Sequence, residues 1–475
     1  MTNSTDSLWT FNASDLINLL RKKDIGPEEV LVSSLNRIKE VNQDINAVIT
    51  LCADRAKKII TENPEKINSV LALLPVLIKD TTEVAGVKTT YGSKLYENYI
   101  SKDSDILVSN IEENGGLVLG KTNTPEFAAG SNTFNDVFGT TKNPWNLKLS
   151  AGGSSGGSGA ALASGMAWFA TGSDLGGSLR NPASWNGVVG LRPTPGLISH
   201  GPSNNPFNTL SVSGPMARNI TDLSIFLDAM AVYNHLDPLS KKRDISSFYA
   251  NLSKDSSFTY NIGITEDFGL FPCDNEIKAM MGNTFKLIKS LGHNLENTYP
   301  SMEDAEESFQ ILRAFLFFSA YGFLLPDQKN VKKEIIWNIE KGKNLTVNEI
   351  IKAENIRVKL YKNISKFFND HDFLICPSSS VVPFTHQTRW VKQIENKTFD
   401  NYVSWLMICG CISLINCPSL SIPTSIAKNG APIGIQIIAP PFKELKLLNF
   451  AKKIENEINI SEMLPINFKN DLPQR

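Results

Sequence analysis

Two short segments rich in glycine and serine contain the side chains of this sequence that are best suited to nucleophilic chemistry. Residues 152–159 read GGSSGGSG, and residues 172–178 read GSDLGGS. A serine hydroxyl attacks a carbonyl carbon once a neighbouring base takes its proton. Twelve of the 31 glycines lie between Gly152 and Gly196, where an even distribution would place about three. Glycine clusters occur where the backbone adopts φ > 0 or approaches another group closely. This excess therefore indicates that the backbone of these segments forms part of a functional site.

The residues around these segments weaken the other interpretations of them. A Walker A loop ends in Gly-Lys-Ser/Thr and a dinucleotide fingerprint reads GxGxxG, and neither pattern occurs here. Residues 152–156 match GxSxG, but that hydrolase motif needs a later acid and histidine, and the downstream histidines offer no evident candidate. Flexible surface loops remain the plain alternative. The apolar flanks at residues 160–163 and 167–170 oppose it, because they predict a buried helix and a core strand.

Histidine and cysteine, the other common groups of catalytic and metal sites, show no spacing typical of such sites. The sequence has no HExxH pattern, no close histidine pair and no CxxC. We therefore expect no metal, no cofactor and reduced structural thiols, and any catalysis would work without histidine. The residues concerned are His200, His235, His293, His371 and His386, with Cys52, Cys273, Cys376, Cys409, Cys411 and Cys417.

The elements that must position these segments alternate between helical and strand patterns, which is typical of an α/β fold. Pro27 suits the first position of a helix, and apolar residues then recur at steps of three and four. Two helices are predicted within the first fifty residues, and a further helix is predicted over about 104–113, closed by Gly115. Strands are predicted at residues 47–50, 73–78, 117–119, 373–376, 420–422 and 433–438, before a last helix that contains Leu445, Leu448 and Phe450.

Composition and charge exclude several classes of function. The 47 basic and 48 acidic residues give a net charge of -1, which excludes nucleic-acid or anionic-membrane binding through bulk charge. With 41% hydrophobic residues a large core is expected, and at about 150 residues per domain the 475 residues suggest about three domains. The N-terminus lacks the pattern of a signal peptide, and no stretch of about 18 apolar residues occurs. We therefore expect a cytoplasmic protein without a membrane segment.

At residues 152–195 the sequence GGSSGGSGAALASGMAWFATGSDLGGSLRNPASWNGVVGLRPTP closely resembles the signature of the amidase signature family. The upstream PVLIKD at residues 75–80 resembles the lysine motif of that family. Segments at residues 120–127, 139–145 and 430–436 also resemble family segments in order, so the likeness runs from about residue 10 to 460.

This resemblance implies one large α/β domain over residues 1–475, with a mixed, mostly parallel central sheet covered by helices on both faces. Its signature core would span approximately 75–200. The polar, mostly helical stretch at approximately 235–370 would form the periphery.

Carried over by position, the family's Ser-Ser-Lys triad is Ser178 as nucleophile, Ser154 as bridging serine and Lys79 as base. The resemblance also implies a cis Gly153–Ser154 peptide and a structural ion pair between Asp174 and Arg180. The backbone N–H groups that would form the oxyanion hole belong to Leu175, Gly176, Gly177 and Ser178.

Some positions depart from the family pattern or leave a choice open. Leu175 replaces a common threonine, and Arg192 replaces a common lysine and is interpreted as structural. Ser155 and Ser158 are chemically equivalent alternatives to Ser154, and only motif position selects among them.

Lys79 can act as a base only if its pKa is strongly lowered. An ordinary lysine, with a pKa of about 10.4, is almost entirely protonated at pH 7. Burial would have to lower the pKa by about 3 units, since a low-polarity environment penalises the charged form. The apolar run at residues 73–78 is expected to provide that burial.

The leading hypothesis is a stand-alone amidase that hydrolyses a small or medium carboxamide, with a homodimer suggested by the family. One alternative is the glutaminase subunit of a tRNA-dependent amidotransferase, although residues 340–360 show no arginine-rich glutamine-binding segment. Another is a non-catalytic binding protein. For the leading hypothesis we expect a small-molecule amide as partner, with no nucleic acid and no membrane.

The aromatic stretch at residues 383–411 is a candidate wall of the substrate pocket, and core packing is the alternative interpretation. Trp390 lies within this stretch, and Arg389 is a candidate receptor for a substrate carboxylate.

Overall fold

The computed structural model describes residues 5–202, 205–252, 258–326 and 328–467. Its helices are α1 (Ala13–Lys22), α2 (Pro27–Ile45), α3 (Ala53–Glu62), α4 (Ile106–Glu113), α5 (Gly156–Ala163), α6 (Arg180–Asn186), α7 (Ile220–Met230), α8 (Asn275–Ser290), α9 (Ala305–Tyr321), α10 (Lys333–Lys343), α11 (Val347–Phe367), α12 (Met407–Leu414) and α13 (Glu444–Ile458). No helix of the described ranges is long and apolar enough to cross a membrane.

The strands form one large sheet and three small ribbons. The strands are β1 (Val48–Leu51), β2 (Pro75–Lys79), β3 (Leu117–Thr122), β4 (Phe134–Asn135), β5 (Gly139–Thr140), β6 (Lys142–Asn143), β7 (Asn146–Ser150), β8 (Phe169–Asp174), β9 (Val189–Arg192), β10 (Val212–Ala217), β11 (Asn261–Ile264), β12 (Asn294–Glu296), β13 (Phe373–Pro377), β14 (Gln393–Ile394), β15 (Lys397–Thr398), β16 (Ser419–Ile426) and β17 (Pro432–Ile438). The large sheet has the order β1-β3-β2-β8-β10-β9-β16-β17-β13-β11-β12.

The sheet is mixed, as the family resemblance implies, but it is not mostly parallel. Of its ten described pairings, four are parallel, namely β2 with β3, β2 with β8, β11 with β12, and β11 with β13. The other six are antiparallel. The reason lies in the connections, since β16 and β17 are joined by the short turn at residues 427–431, which reverses the chain.

Helices cover both faces of the sheet, and alternate residues of β2 show this directly. Val76 and Ile78 belong to an apolar cluster that includes Leu223 and Phe226 of α7. Leu77 points to the other face, into a cluster built largely from α2 and α5. Because successive strand residues face opposite ways, β2 is buried on both sides and ends in a position closed to solvent.

The predicted helical periphery is mainly helical but also extends the sheet. Residues 235–370 contain α8, α9, α10 and α11, and they also contribute β11 and β12 at one sheet edge. Apolar side chains of α9, α10 and α11 pack with those of α12 in a separate cluster. The division of the chain into a signature core and a periphery stays a prediction.

The predicted local signals agree with the observed element ends. Helix α2 begins at Pro27, and the Glu29 carboxylate accepts a 2.7 Å hydrogen bond from the Gly26 N–H. Helix α4 begins after Asp105, whose carboxylate accepts a 2.8 Å hydrogen bond from the Leu107 N–H. The six cysteines are free thiols, and all except Cys52 are buried.

Candidate active site

Lys79 ends strand β2 inside the protein, with no exposed surface. Its backbone N–H donates a 3.0 Å hydrogen bond to Thr171 Oγ1 on the neighbouring strand β8. The apolar run before it is fully buried, as the sequence predicts. The ammonium group is therefore held in the interior at the end of the strand.

Three serine hydroxyls surround the Lys79 side chain. Its Nζ lies 2.6 Å from Ser154 Oγ, 2.9 Å from Ser173 Oγ and 3.0 Å from Ser155 Oγ. Burial lowers the pKa of Lys79 to about 7, and the partial opposing effect comes from the Asp174 carboxylate. With a pKa in this range the side chain can lose its proton near neutral pH, so this lysine is able to act as a proton acceptor.

The hydroxyl of Ser154 is fixed by the loop that precedes helix α5. The Gly153–Ser154 peptide is cis, in agreement with the family resemblance. The Gly153 N–H donates a 3.1 Å hydrogen bond to Asn181 Oδ1, and Thr133 Oγ1 donates one of 2.8 Å to the Gly152 carbonyl. Ser154 has no exposed surface, so its hydroxyl can contact only groups in the protein interior.

Ser178 lies in the loop between β8 and α6 and is the most accessible of the three candidate residues. It is half-buried, as are Leu175 and Gly176 before it. The Ser178 carbonyl accepts a 3.2 Å hydrogen bond from the Ser155 N–H, which ties the two glycine–serine segments together. This exposure suits a nucleophile that must meet a substrate from outside.

Of the two alternatives to Ser154, Ser155 contacts Lys79, and the hydroxyl of Ser158 is bound by other groups. Ser158 Oγ donates a 2.8 Å hydrogen bond to the Thr171 carbonyl and lies 2.8 Å from Thr122 Oγ1, so it has partners other than Lys79. Ser155 contacts Lys79 at a longer distance than Ser154 does. Ser173 was not singled out by the sequence, and only the folded structure reveals its contact with Lys79.

Asp174 organises the loop that carries Ser178. Its carboxylate accepts bidentate hydrogen bonds of 3.0 and 2.8 Å from Arg180, and Arg192 lies 3.6 Å away. Burial by itself raises the pKa of Asp174, but Arg180 and then Arg192 outweigh it and hold the pKa well below its usual range. Both the expected ion pair and the structural interpretation of Arg192 agree with this arrangement.

One of the four proposed oxyanion donors is engaged elsewhere. The Gly177 N–H donates a 2.9 Å hydrogen bond to Asp174 Oδ1, so it is not directed at a substrate in this structure. The reason is the tight turn after β8, which points this amide back to the carboxylate that starts the loop. The N–H groups of Leu175, Gly176 and Ser178 remain the proposed donors.

Gly177 is required by both its conformation and its neighbour. Its φ is 105°, a value that side chains disfavour, and a Cβ there would lie 2.7 Å from Cys409 Cβ. Helix α12 can therefore pack directly against the loop of the candidate nucleophile.

A narrow cleft lies beside this loop. Its lining carries no formal charge and consists of Gly176, Asn181, Ser378, Ser379, Ser380, Trp405, Leu406, Ile408 and Cys409. Trp405 and Cys409 belong to the aromatic stretch that the sequence indicates, and Asn181 lies inside the signature segment at residues 152–195. The three serines lie outside the segments that the sequence singles out.

Arg389 and Trp390 lie in a different and larger groove. This groove has a cavity volume of about 620 Å³ and is also lined by Glu334, Trp337 and Tyr402. Arg389 donates hydrogen bonds of 3.0 and 2.8 Å to the Glu334 carboxylate. A substrate carboxylate would have to compete with that pair. Much of the surrounding aromatic stretch, including Phe399 and Trp405, is core packing.

Within the described ranges, no group of three or more His, Cys, Asp or Glu side chains is arranged to hold a metal ion.

Comparison with known proteins gives consistent matches along most of the chain. The model of the protein family described as Amidase matches residues 29–448. The chain is 31% identical over 484 residues to a glutamyl-tRNA(Gln) amidotransferase subunit from Halothermothrix orenii. That match covers 96% of this chain and 99% of the relative.

Solved structures show the same fold. The structure of 6-aminohexanoate cyclic dimer hydrolase complexed with substrate matches with a TM-score of 0.85 and 26% identity, over 97% of this chain and 99% of that one. A glutamyl-tRNA(Gln) amidotransferase subunit from Thermotoga maritima matches with a TM-score of 0.74 and 25% identity, over 96% of each chain.

Proposed function

This chain belongs to the amidase family and is an amide-hydrolysing enzyme, and we propose that it cleaves a small carboxamide through an acyl-enzyme on Ser178. The observation that carries the proposal is the buried Lys79, which contacts Ser154 and has a pKa of about 7. A lysine that is neutral in part at physiological pH can accept the proton that a serine nucleophile must lose.

The proposed reaction moves one proton out along the relay and back. Ser178 Oγ attacks the carbonyl carbon while its proton passes to Ser154, whose own proton passes to Lys79. The negative oxygen of the tetrahedral intermediate is stabilised by backbone N–H groups of the loop. The carbon–nitrogen bond then breaks as a proton returns through Ser154 to the leaving nitrogen. Water repeats the sequence on the ester and releases the carboxylate.

The sequence relatives support the glutaminase alternative better than a stand-alone amidase. The protein of Halothermothrix orenii is named as part of an amidotransferase, and it matches nearly full length. Under that hypothesis, this chain would release ammonia from glutamine as one subunit of a tRNA-dependent amidotransferase complex. It would then have a protein partner and act in a nucleic-acid pathway, contrary to the partners expected from composition.

A test of the reaction uses purified protein, a set of neutral primary carboxamides and glutamine, with released ammonia as the readout. Hydroxylamine should intercept the acyl-enzyme and give a hydroxamate with any good substrate. Ser178→Ala should lose both products, whereas Ser290→Ala, at an exposed helix position, should retain them. Turnover without hydroxamate, or full activity of Ser178→Ala, would contradict the mechanism.

The same experiment ranks the two substrates. Ammonia release from glutamine, with a partner protein that co-purifies and no turnover of neutral amides, would establish the glutaminase alternative instead. The relatives do not support the third hypothesis, a non-catalytic binding protein, because one is named as an amidotransferase subunit and another as a hydrolase. Labelling of Ser178 by a fluorophosphonate would exclude it directly.

A further inference from the structure

Helix α11 carries an apolar stripe on its outer face, and we propose that this stripe packs against the same helix of a second copy of the chain, antiparallel to it. The result is a symmetric dimer. Such a dimer goes beyond the proposed function and does not depend on it, because its contacts do not involve Lys79, Ser154 or Ser178.

The stripe consists of apolar side chains that are largely exposed to solvent. They are Val347 at 72%, Ile351 at 53%, Val358 at 51% and Tyr361 at 46%. Together with Glu354, these positions follow one another at alternating steps of four and three residues. That spacing is the a and d pattern of a heptad, which forms the seam between two packed helices. The pattern therefore predicts that a helix covers the stripe.

The rest of the α11 surface differs from the stripe. Its buried face packs in the apolar cluster shared with α9 and α12, and consists of Ala353, Ile356, Leu360, Ile364 and Phe367. The other exposed positions are polar, namely Asn348, Glu349, Lys352, Asn355, Lys359, Lys362, Ser365 and Lys366. Every exposed apolar side chain of this helix thus lies on one stripe, whereas single apolar residues scattered on a surface need no partner.

Helix α9 occupies a different side of α11. Lys352 pairs with Glu307 at 2.5 Å, and Lys359 pairs with Glu303 at 3.3 Å. At about 100° per residue, both lysines lie roughly a third of a turn from the centre of the stripe. The stripe can therefore face another molecule while α9 stays in place.

A loop beside the stripe adds a further apolar side chain. Arg357, next to Val358, donates hydrogen bonds to Thr209 Oγ1 and to the Leu414 carbonyl. Phe207 lies two residues before Thr209 in the chain and is 73% exposed. Exposed apolar side chains that are grouped in this way are typical of a contact between proteins.

The charges of α11 favour an antiparallel copy of the same helix. Residues 347–356 carry two glutamates and one lysine, whereas residues 357–367 carry four basic side chains and no acidic one. Parallel copies would place the two basic halves side by side. Antiparallel copies place each basic half beside the half that carries the glutamates, which is the favourable arrangement of charge. A two-fold axis between identical surfaces is also the commonest symmetry of soluble oligomers.

An axis at the level of residue 356 gives the seam its register. Ile351 of one copy then lies level with Tyr361 of the other, and Glu354 lies within about one helical turn of Lys362 of the other. Within its own helix, Glu354 approaches Arg357 only at 4.0 Å. A charged residue in an otherwise apolar seam fixes register and direction at a cost in stability.

Sedimentation velocity of the full chain from about 1 to 100 µM tests the dimer. The mass should approach twice the 52.4 kDa of one chain as the concentration rises. Ile351→Lys should raise the Kd by about tenfold or more, because it buries a charge in the seam. Val32→Lys is the control, at a 46% exposed position of α2, and should leave the Kd unchanged. A wild type that stays monomeric, or an equal Kd for Ile351→Lys, would overturn the proposal.

A charge exchange tests the register. Glu354→Lys and Lys362→Glu should each weaken the dimer, and the double variant should recover because it restores the pair with reversed sign. Both positions are exposed, so all three variants should keep the Tm of the wild type. Absence of recovery in the double variant would contradict the assigned contact.

Cysteine cross-linking tests the direction of the helices. Val347→Cys and Ser365→Cys are made separately in a Cys52→Ser background, and these positions lie about 27 Å apart along α11. Oxidation of a mixture should link the two variants to each other, and neither should link to itself. Self-linking of either variant would show a parallel or different contact and would overturn the proposal.

A lipid surface is the other occupant that an apolar and basic helix face could meet. Vesicles of equal parts phosphatidylcholine and phosphatidylglycerol are sedimented with the wild type and with Ile351→Lys. A monomeric wild type that sediments with the vesicles, together with a variant that does not, would assign the stripe to lipid and reject the dimer.

Discussion

At the scale of single residues, the chemistry depends on a lysine that folding makes into a base. Lys79 is enclosed at the end of a buried strand, and Asp174, the acidic group that opposes the lowering of its pKa, is already paired with Arg180. Burial therefore acts on Lys79 with little compensation, while three hydroxyls remain to bind its nitrogen. A lysine with a pKa of about 7 can thus take the role of proton acceptor that histidine often has in enzymes.

The first prediction concerns the dependence of activity on pH. Since only neutral Lys79 can accept a proton and its pKa is about 7, kcat/KM should rise tenfold per pH unit below pH 7. The rate should level off above about pH 8. A non-ionising carboxamide such as butanamide isolates the enzyme's own titration. A flat profile between about pH 5 and 9 would contradict the assignment of Lys79 as the base.

The second prediction concerns stability. The folded-state pKa of Lys79 is lowered to about 7 from 10.5, so the unfolded chain binds more protons between these values. Stability contributed by this group therefore increases with pH from about 7 upward. Lys79→Met lacks this dependence, so the wild type should gain about 3 kcal/mol relative to the variant between about pH 6 and pH 9. Urea unfolding at both pH values measures the difference, and an unchanged difference would show that Lys79 titrates normally.

At the scale of elements, the turn between β8 and α6 is held by a buried charge network. Asp174 ends the strand and binds Arg180 at the start of the helix, and Arg180 also donates a 2.7 Å hydrogen bond to Gln436 on β17. Arg192 on β9 approaches the same carboxylate. Three strands and a helix thereby fix the loop that presents Ser178.

The third prediction tests this network with Asp174→Asn. The variant leaves two buried arginines without their carboxylate, so stability should fall by about 3–5 kcal/mol. Because the pKa of Asp174 lies below its usual range, its contribution is present above the unfolded pKa and is lost only in strong acid. The loss should therefore be the same at about pH 5 and pH 9.

Asp54→Asn provides the control, because Asp54 is fully exposed and faces Lys57 at 3.6 Å. Thermal unfolding should show no measurable change for it. A similar Tm for both variants and the wild type would mean that the Asp174 network does not stabilise the fold.

At the scale of the whole molecule, apolar clusters on both sides of the sheet enclose nearly all thiols. Five cysteines are buried, and Cys52 is half-buried. Burial raises the pKa of Cys52 and of Cys409 to about 11. Thiol accessibility is therefore a measure of how well the fold stays closed.

The fourth prediction is a thiol count with Ellman's reagent at about pH 8. Because the thiolate is the reactive form, at most one thiol should react within minutes in the native protein. All six cysteines should react in guanidinium. Cys52→Ser should abolish any fast native reaction, and two or more fast native thiols would contradict the closed core.

Much of the fold could be predicted because its signals are local. Pro27 marks a helix start, Gly115 follows the end of another helix, and the apolar run before Lys79 marks a buried strand. Strand direction could not be predicted in the same way, since it depends on which distant segments pair. The short turn between β16 and β17 makes this part of the sheet antiparallel, whereas β2 and β3 are parallel.

By itself, the sequence determined the reaction class, the positions of Lys79, Ser154 and Ser178 as candidates, and the absence of a histidine pattern. Only the tertiary structure decided which groups meet, because Lys79 contacts Ser154 across 75 residues and Ser173 across 94. It also showed that the Gly177 amide is bound by Asp174 and that Arg389 is paired with Glu334. Residue type and spacing report local conformation and burial, whereas hydrogen bonds and pKa values depend on neighbours that folding brings from elsewhere in the chain.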